Sequence, residues 1–575
     1  MRPWSIRFAA VAAAVLLIAA SPRDTSLKRT DLPRLGGESI EVSIVNLDVF
    51  VTDAKGNRVH GLTKDDFEIL EDGKPQAITN FSEYGADASP VRVSLEQSPA
   101  AAAKTVEPAV KPQPRTLIVF VDRMRLASFE AEPVFRSLRT LLHNAVRQGD
   151  AAMIVTWAYR MRVIQPFTND LDKLDAALVK LERASQVIAP DSAMDDIASE
   201  RIWREQIESD YRMRGAGGAP DRGPTLSARE GAQRAYSELK RKTAAINALM
   251  SGISGAEGKK VLLLASHRLS DIAGLEYLKF QDGPTGQYQG QYGTRYFIES
   301  IAHTANANGI TVYTLFPEGL GTHSVVRADQ RPIPRVSNAD MITHDYLVLN
   351  NELPSLKYIA DRTGGAMAWS AKEVAAFLPR VGEDLDQYYS LAYSIASKSQ
   401  DRARAIVVKT KNPSYVVRSR REFVERSDET KMKDRVIANL FREPDASVLS
   451  ISAVMGTATR KSNDRFLIPL SIRVPVRGLA TLLEGQTRVG AFSVIVASTG
   501  AWGDVSEVTY RTQRFTIPLA ELEKTKGTFF TYDVEILADR MAKRLSIAVQ
   551  DEVSKDYGFS RVELPPRAGA PVGGR

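Results

Sequence analysis

Hydrophobic and polar positions change period twice along this 575-residue chain. Residues 42–51, 67–71 and 76–81 are short runs rich in β-branched and apolar side chains, and Asp72-Gly73 lies between the last two as a tight-hairpin signal. The spacing predicts a small β module over 38–93. A Pro/Ala-rich stretch without periodicity, 94–115, reads as a linker, extended at its proline end. Thr116-Leu-Ile-Val-Phe-Val-Asp122 then runs apolar without alternation and stops at a carboxylate. Such a run suits a strand covered on both faces, as in a parallel sheet between helices. Ligands of open α/β sheets gather at the carboxyl ends of the strands, which makes Asp122 a candidate site residue.

Helical spacing follows in Val134, Leu138, Leu141, Leu142, Ala145 and Val146. Further strands are predicted at 151–156, 161–164, 260–265 and 310–316. Helices are predicted at 170–181, 226–253, 296–308, 353–363 and 371–387, with one more strand at 388–395. This alternation predicts a doubly wound α/β domain over 116–400. A charged helical and flexible insertion at 191–224 and a Gly/Gln/Tyr loop at 280–295, read as mobile, interrupt it. Beyond Arg402 the period becomes two, which predicts a β extension over 402–424 and an all-β sandwich over 425–566. A Pro/Gly-rich tail, 567–575, is expected to fray. The expected fold class is therefore multidomain α/β plus β: a doubly wound domain flanked by an N-terminal small β module and a C-terminal β-sandwich.

Composition adds limits. Charged residues at 25% and hydrophobic residues at 43% are those of ordinary globular protein. A net charge of +7 over this length, without a long basic stretch studded with aromatics, argues against nucleic acid as a partner. Arg2 and Arg7 precede an apolar run over 8–20, and Ser21-Pro-Arg-Asp24 breaks it, the layout of a signal peptide over 1–20. That run is short for a bilayer, which needs ~20 residues, although an uncleaved anchor stays open. A secreted or periplasmic protein is expected. There is no cysteine, hence no disulfide, lipid-bearing thiol or thiol nucleophile.

Six stretches belong together: the leading module from Val49 to Gly73, the 116–122 strand, Pro166-Phe-Thr-Asn-Asp170, Gly309-Ile-Thr-Val-Tyr313, Ile359-Ala-Asp-Arg-Thr-Gly-Gly365 and Tyr388-Tyr-Ser-Leu-Ala-Tyr393. Together they resemble the von Willebrand factor type A-related domain of secreted bacterial proteins, in the variety known mainly from acidobacteria. The resemblance covers about 38–420. It implies a type A-like α/β domain and, in members that bind metal, Asp-x-Ser-x-Ser after the first strand, with a Thr and an Asp from later loops. Those oxygens hold Mg²⁺, which captures a carboxylate of the partner. Here the stretch reads Asp122-Arg123-Met124-Arg125-Leu126, and the later loop reads Ser266-His267-Arg268. Only Asp122 matches, as a vestigial position, so a degenerate metal-ion-dependent adhesion site and no cofactor are expected. If the two strands are parallel neighbours, Arg123, Arg125, His267 and Arg268 share one rim with Asp122, where guanidinium groups can take an acidic residue of a partner directly. The bland alternative is a set of solvated loop charges.

No local catalytic motif is found. The stretch from Gly252 to Lys259 precedes a strand, unlike a phosphate loop, and reads as a helix-to-strand turn. The six histidines lack metal-ligand spacing, no Gly-x-Ser-x-Gly elbow occurs, and pairs such as Asp65-Asp66 and Glu383-Asp384 read as solvated charge. A protein-binding or envelope-assembly scaffold without turnover is expected. The alternatives are a hydrolase with an unrecognised site, in the 280–295 loop or between domains, and a metal-dependent adhesin that rebuilds its site from Ser128 or Glu130.

Overall fold

A computed structural model describes residues 43–85, 114–122, 128–186, 226–254, 256, 258–266, 268–278, 290–316, 338–395, 401–441, 447–462, 465–499, 505–506, 508–525, 527–540 and 542–564. The signal-like start, most of the linker, the 191–224 insertion and the tail lie outside these residues. The chain begins with β1 (Ser43–Thr52), β2 (Phe67–Glu71), β3 (Lys74–Gln76) and β4 (Ile78–Tyr84). Asp72 and Gly73 join β2 to β3 with φ of 47° and 80°, the left-handed pair that a two-residue hairpin needs.

The α/β layer runs β5 (Arg115–Asp122), α1 (Ser128–Ala145), β6 (Ala151–Trp157), β7 (Met161–Thr168), α2 (Leu171–Gln186) and α3 (Leu226–Ser251). It continues as β8 (Lys259–Ala265), α4 (Arg295–Ala307), β9 (Ile310–Leu315), α5 (Asn338–Arg362), β10 (Met367–Ala368) and α6 (Ala371–Asp386). The sheet order is β10-β9-β8-β5-β6-β7, parallel throughout except for β7, which turns back antiparallel on β6. Strand β5 is central and buried on both faces, as its unbroken apolar run predicts. Leu117, Val119 and Val121 share a core with Leu138 of α1, Leu178 of α2 and Leu378 of α6. Ile118 and Phe120 point the other way, among Ile246 of α3, Ile301 of α4 and Ile359 of α5.

Helix α5 starts at Asn338, well before the expected 353–363. Its middle turns bury the polar side chains of Asn351 and Glu352, which hold the 268–272 loop and are not part of its apolar stripe. At its end the Thr363-Gly-Gly365 motif docks it on the sheet. Thr363 Oγ1 accepts from Val312 N at 3.1 Å, and a Cβ on Gly365 would stand 1.9 Å from the Val312 carbonyl oxygen.

The chain leaves α6 through β11 (Tyr388–Ile395), β12 (Ala403–Thr410), β13 (Val416–Ser419) and β14 (Glu422–Val424). Strand β11 joins β1 rather than the six-stranded sheet, with Val45 opposite Tyr393. Two four-stranded sheets result, β13-β1-β11-β4 and β14-β12-β2-β3. Val45, Leu47, Ile69, Leu391, Tyr393 and Ile406 fill the core between them. The strands before and after the α/β layer thus close one unit, and the layer is inserted between β4 and β11.

The segment expected to be all-β from 425 opens instead with a helix, α7 (Asp428–Phe441). Thr430 N donates to Ser427 Oγ at 3.2 Å and caps its first turn. Then follow β15 (Ser452–Met455), β16 (Thr459–Arg460), β17 (Arg465–Pro475), β18 (Leu482–Glu484), β19 (Thr487–Ser498), β20 (Thr509–Pro518), β21 (Phe529–Asp539), β22 (Arg544–Asp551) and β23 (Tyr557–Glu563). One sheet holds β15-β17-β16 with β21 on β17, and the other holds β18-β19-β22-β23 with β20 on β19. Ile468, Ile472, Val494 and Ile547 pack between them. Met432, Val436 and Leu440 of α7 cover the outer face of the second sheet against Ile495, Ala548 and Phe559. Among the described residues no helix is long and apolar enough to cross a membrane.

Candidate functional site

The chain passes from β5 to β6 on one side and later crosses to β8 on the other, so the strand order reverses between β5 and β8. That reversal opens a crevice at the carboxyl ends of the two strands, the usual ligand position in open α/β sheets. Asp122 ends β5 there and Ser266 follows β8. The two strands are parallel neighbours, with Val121 opposite Ala265, as the shared rim requires.

Asp122 is only 2% exposed and does not face solvent. Lys242 Nζ, 1% exposed, donates to Asp122 Oδ2 at 2.6 Å, and Ser266 Oγ donates to the same oxygen at 3.1 Å. Lys242 comes from the sheet-facing side of α3, between Leu239 and Ile246, both buried. The sequence carried a signal for it: the apolar stripe of Ala232, Tyr236, Leu239, Ile246, Leu249 and Met250 skips the turn at 242–243. A charge at a core position of an amphipathic helix needs a buried counter-charge, and Asp122 is that partner.

Beside this pair, Glu238, Leu239, Lys242, Arg268, Ser270 and Gly274 line a cavity of about 10 Å³. Glu238, one turn before Lys242, is 6% exposed, and its Oε1 has no hydrogen-bond partner among the described residues. Arg268 takes a left-handed φ of 55°, and its N–H donates to Glu352 Oε2 at 3.0 Å. The following loop is tied to α5. Asn351 brackets Ile272 through both its side-chain atoms, and Ser355 Oγ donates to Asp271 Oδ1 at 2.9 Å. Of the 280–295 loop, Tyr292 is buried and its carbonyl accepts from Ala273 N.

Of the expected rim, then, Asp122 lies beneath the surface and Arg268 lines the cavity. Arg123, Arg125 and His267 lie outside the described residues. Ser128 begins α1 and Glu130 follows in its first turn. Among the described residues no three His, Asp or Glu side chains converge to hold a metal ion.

A second buried charge cluster sits at the opposite end of the sheet. Asp384 of α6, 2% exposed, is not the solvated charge its pairing with Glu383 suggests. Tyr313 OH and Arg418 Nη2 donate to its Oδ2 at 2.7 and 2.6 Å, and Arg58 pairs with its Oδ1. Lys259, at the start of β8, donates to the Asp384 carbonyl at 2.7 Å. Its ammonium lies 3.6 Å from the Tyr388 ring centroid and 3.6 Å from Asp48 Oδ2. Burial pushes the Lys259 amine down from 10.5 to about 8, against the pull of Asp48. The cluster joins strands of the six-stranded sheet to β1, β11 and β13.

No family model matches the chain, and no curated protein matches it. Solved structures similar to it include the conserved hypothetical protein BatB from Bacteroides thetaiotaomicron, at 11% identity over 47% of this chain and 96% of that one, with a TM-score of 0.21. The vWF domain of the type V pili tip protein Mfa5 from Porphyromonas gingivalis has 10% identity over 48% and 95%, TM-score 0.21. A von Willebrand factor type A protein from Catenulispora acidiphila has 8% identity over 65% and 78%, TM-score 0.20. At such identities and TM-scores no residue role transfers. The α/β character of this chain rests on its own strand order.

Proposed function

We propose that this chain is an exported protein-binding scaffold with a type A-like α/β domain, which takes an acidic partner at the carboxyl ends of β5 and β8 without a divalent ion. The observation that supports the reading is the Asp122–Lys242 contact of 2.6 Å, buried on both sides. A divalent ion over Asp122 leaves coordination positions open to a partner's carboxylate. An ammonium tethered to α3 beneath the surface leaves none. Capture then falls to side chains around the crevice, where Arg123, Arg125, His267 and Arg268 stand in sequence next to the two strand ends. Guanidinium groups pair bidentately with carboxylates and supply their own charge. Export follows from the cationic and apolar pattern of residues 1–20.

Affinity capture from the native envelope tests the proposal, with the full chain as bait in EDTA and in millimolar Mg²⁺. Capture is expected to be equal in both and to be lost in an Arg123→Glu/Arg125→Glu variant. Capture that requires Mg²⁺, or that survives the double reversal, overturns it.

A further inference from the structure

Around Lys242 the fold has assembled the surroundings of a bound cation. Asp122 Oδ2 accepts its ammonium at 2.6 Å, and the hydroxyl of Ser266 reaches the same oxygen at 3.1 Å. One turn earlier on the same helix, the carboxylate of Glu238 is more than nine-tenths buried, with Oε1 unpartnered among the described residues. Glu238 and Ser270 line the same cavity as Lys242, and its volume of about 10 Å³ suits one water. An unsatisfied carboxylate oxygen is costly to bury, so Glu238 calls for positive charge beside it, and Lys242, on the same cavity wall and already paired to Asp122, is the cation at hand.

We propose that Asp122, Glu238, Ser266 and Ser270 form a cation site selective for a primary ammonium, whose resident occupant is the side chain of Lys242. This rests on reading Asp122 as a converted cation position. Its test follows folding and not partner capture, so either can fail alone. The donor set favours an ammonium over a hard ion. Mg²⁺ demands near-octahedral oxygen ligation at ~2.1 Å, whereas an ammonium can donate up to three directed hydrogen bonds at longer distances, as the 2.6 Å contact to Asp122 is. Arg268, on the cavity wall, adds a positive charge that a divalent ion tolerates less well than a monovalent one.

Cutting Lys242 back to alanine removes Cγ, Cδ, Cε and Nζ, which are the heavy atoms of n-propylammonium. The experiment measures the melting temperature of full-length Lys242→Ala with and without ~50 mM n-propylammonium, a concentration at which even weak binding to the native state raises it. The variant is expected to melt well below wild type and to recover at least half the loss with the amine. Wild type, and an Asp122→Leu/Lys242→Met variant with neither charge, should not respond. Should Lys242→Ala not fold unaided, its refolding yield from urea replaces the melt, and the amine is expected to restore it. No recovery, recovery with n-propanol as large as with the amine, or recovery with Mg²⁺ or Mn²⁺ and not with the amine each overturns the proposal.

Discussion

Lys242 stands where the α3 face calls for an aliphatic side chain, and Asp122 ends a strand that is otherwise apolar. Desolvating two ions costs several kcal/mol each, so the pair adds little net stability, yet breaking it strands a charge in the interior. Lys242→Met alone should therefore lose about 3–5 kcal/mol, while Asp122→Leu/Lys242→Met should lose clearly less than the two single changes summed, with Glu238 still buried beside the site. Urea denaturation checks this cycle, and losses that simply add in the double variant refute the pairing. Lys259 sets a pH dependence at the other end of the sheet. Its amine gives up its proton near pH 8 in the fold and near 10.5 in the unfolded chain. Between those values the unfolded chain binds more protons, so this group's contribution makes stability rise with pH. Lys260, also pushed down to about 8 by burial, acts in the same direction. The phenols of Tyr388, Tyr389 and Tyr393, all raised by burial, reverse the trend above pH ~10. Stability is expected to climb from pH 8 toward 10 and then fall, with Lys259→Met flattening the climb. A Lys259→Met curve parallel to wild type between pH 8 and 10 contradicts the assignment.

Helix α7 shows how an element hides in a charged stretch. Met432, Val436 and Leu440 recur at helical spacing, and Ser427 with Asp428 and Glu429 marks its start. The short strands on either side draw the eye to period two. Leu440 is 1% exposed against the outer sheet of the sandwich, and Leu440→Ala should lose about 2–5 kcal/mol in chemical denaturation. A loss under ~1 kcal/mol would mean the helix is not packed there. The Thr363-Gly-Gly365 motif is the opposite case. It was legible as a motif, but its purpose, the seating of α5 against Val312 of β9, needed coordinates.

Across the described residues, the α/β layer is held to the β1–β11 unit by charge as well as by the backbone bridge between Thr363 and Arg420. Asp384 collects Arg58 from the loop after β1, Arg418 from β13 and Tyr313 from β9. Asp384→Ala leaves these guanidinium groups without their carboxylate and should cost about 3–5 kcal/mol. Because the cluster touches both units, hydrogen exchange should speed up together in β1 and β9. Acceleration confined to one unit would show that the cluster does not couple them.

Periodicity is a local property, so the order of strands and helices, the central place of β5 and the position of Asp122 at its carboxyl end were legible from residues a few places apart. The pairing of β1 with β11 was not, because the partners are separated by more than 300 residues and any apolar strand of matching length satisfies the local pattern. Lys242 meets Asp122 across 120 residues of chain. Sequence showed a lone Asp closing an apolar strand and a gap in a helical stripe. Only the packing of α3 on the sheet joined the two, since burying either charge is tolerable only when the other is there.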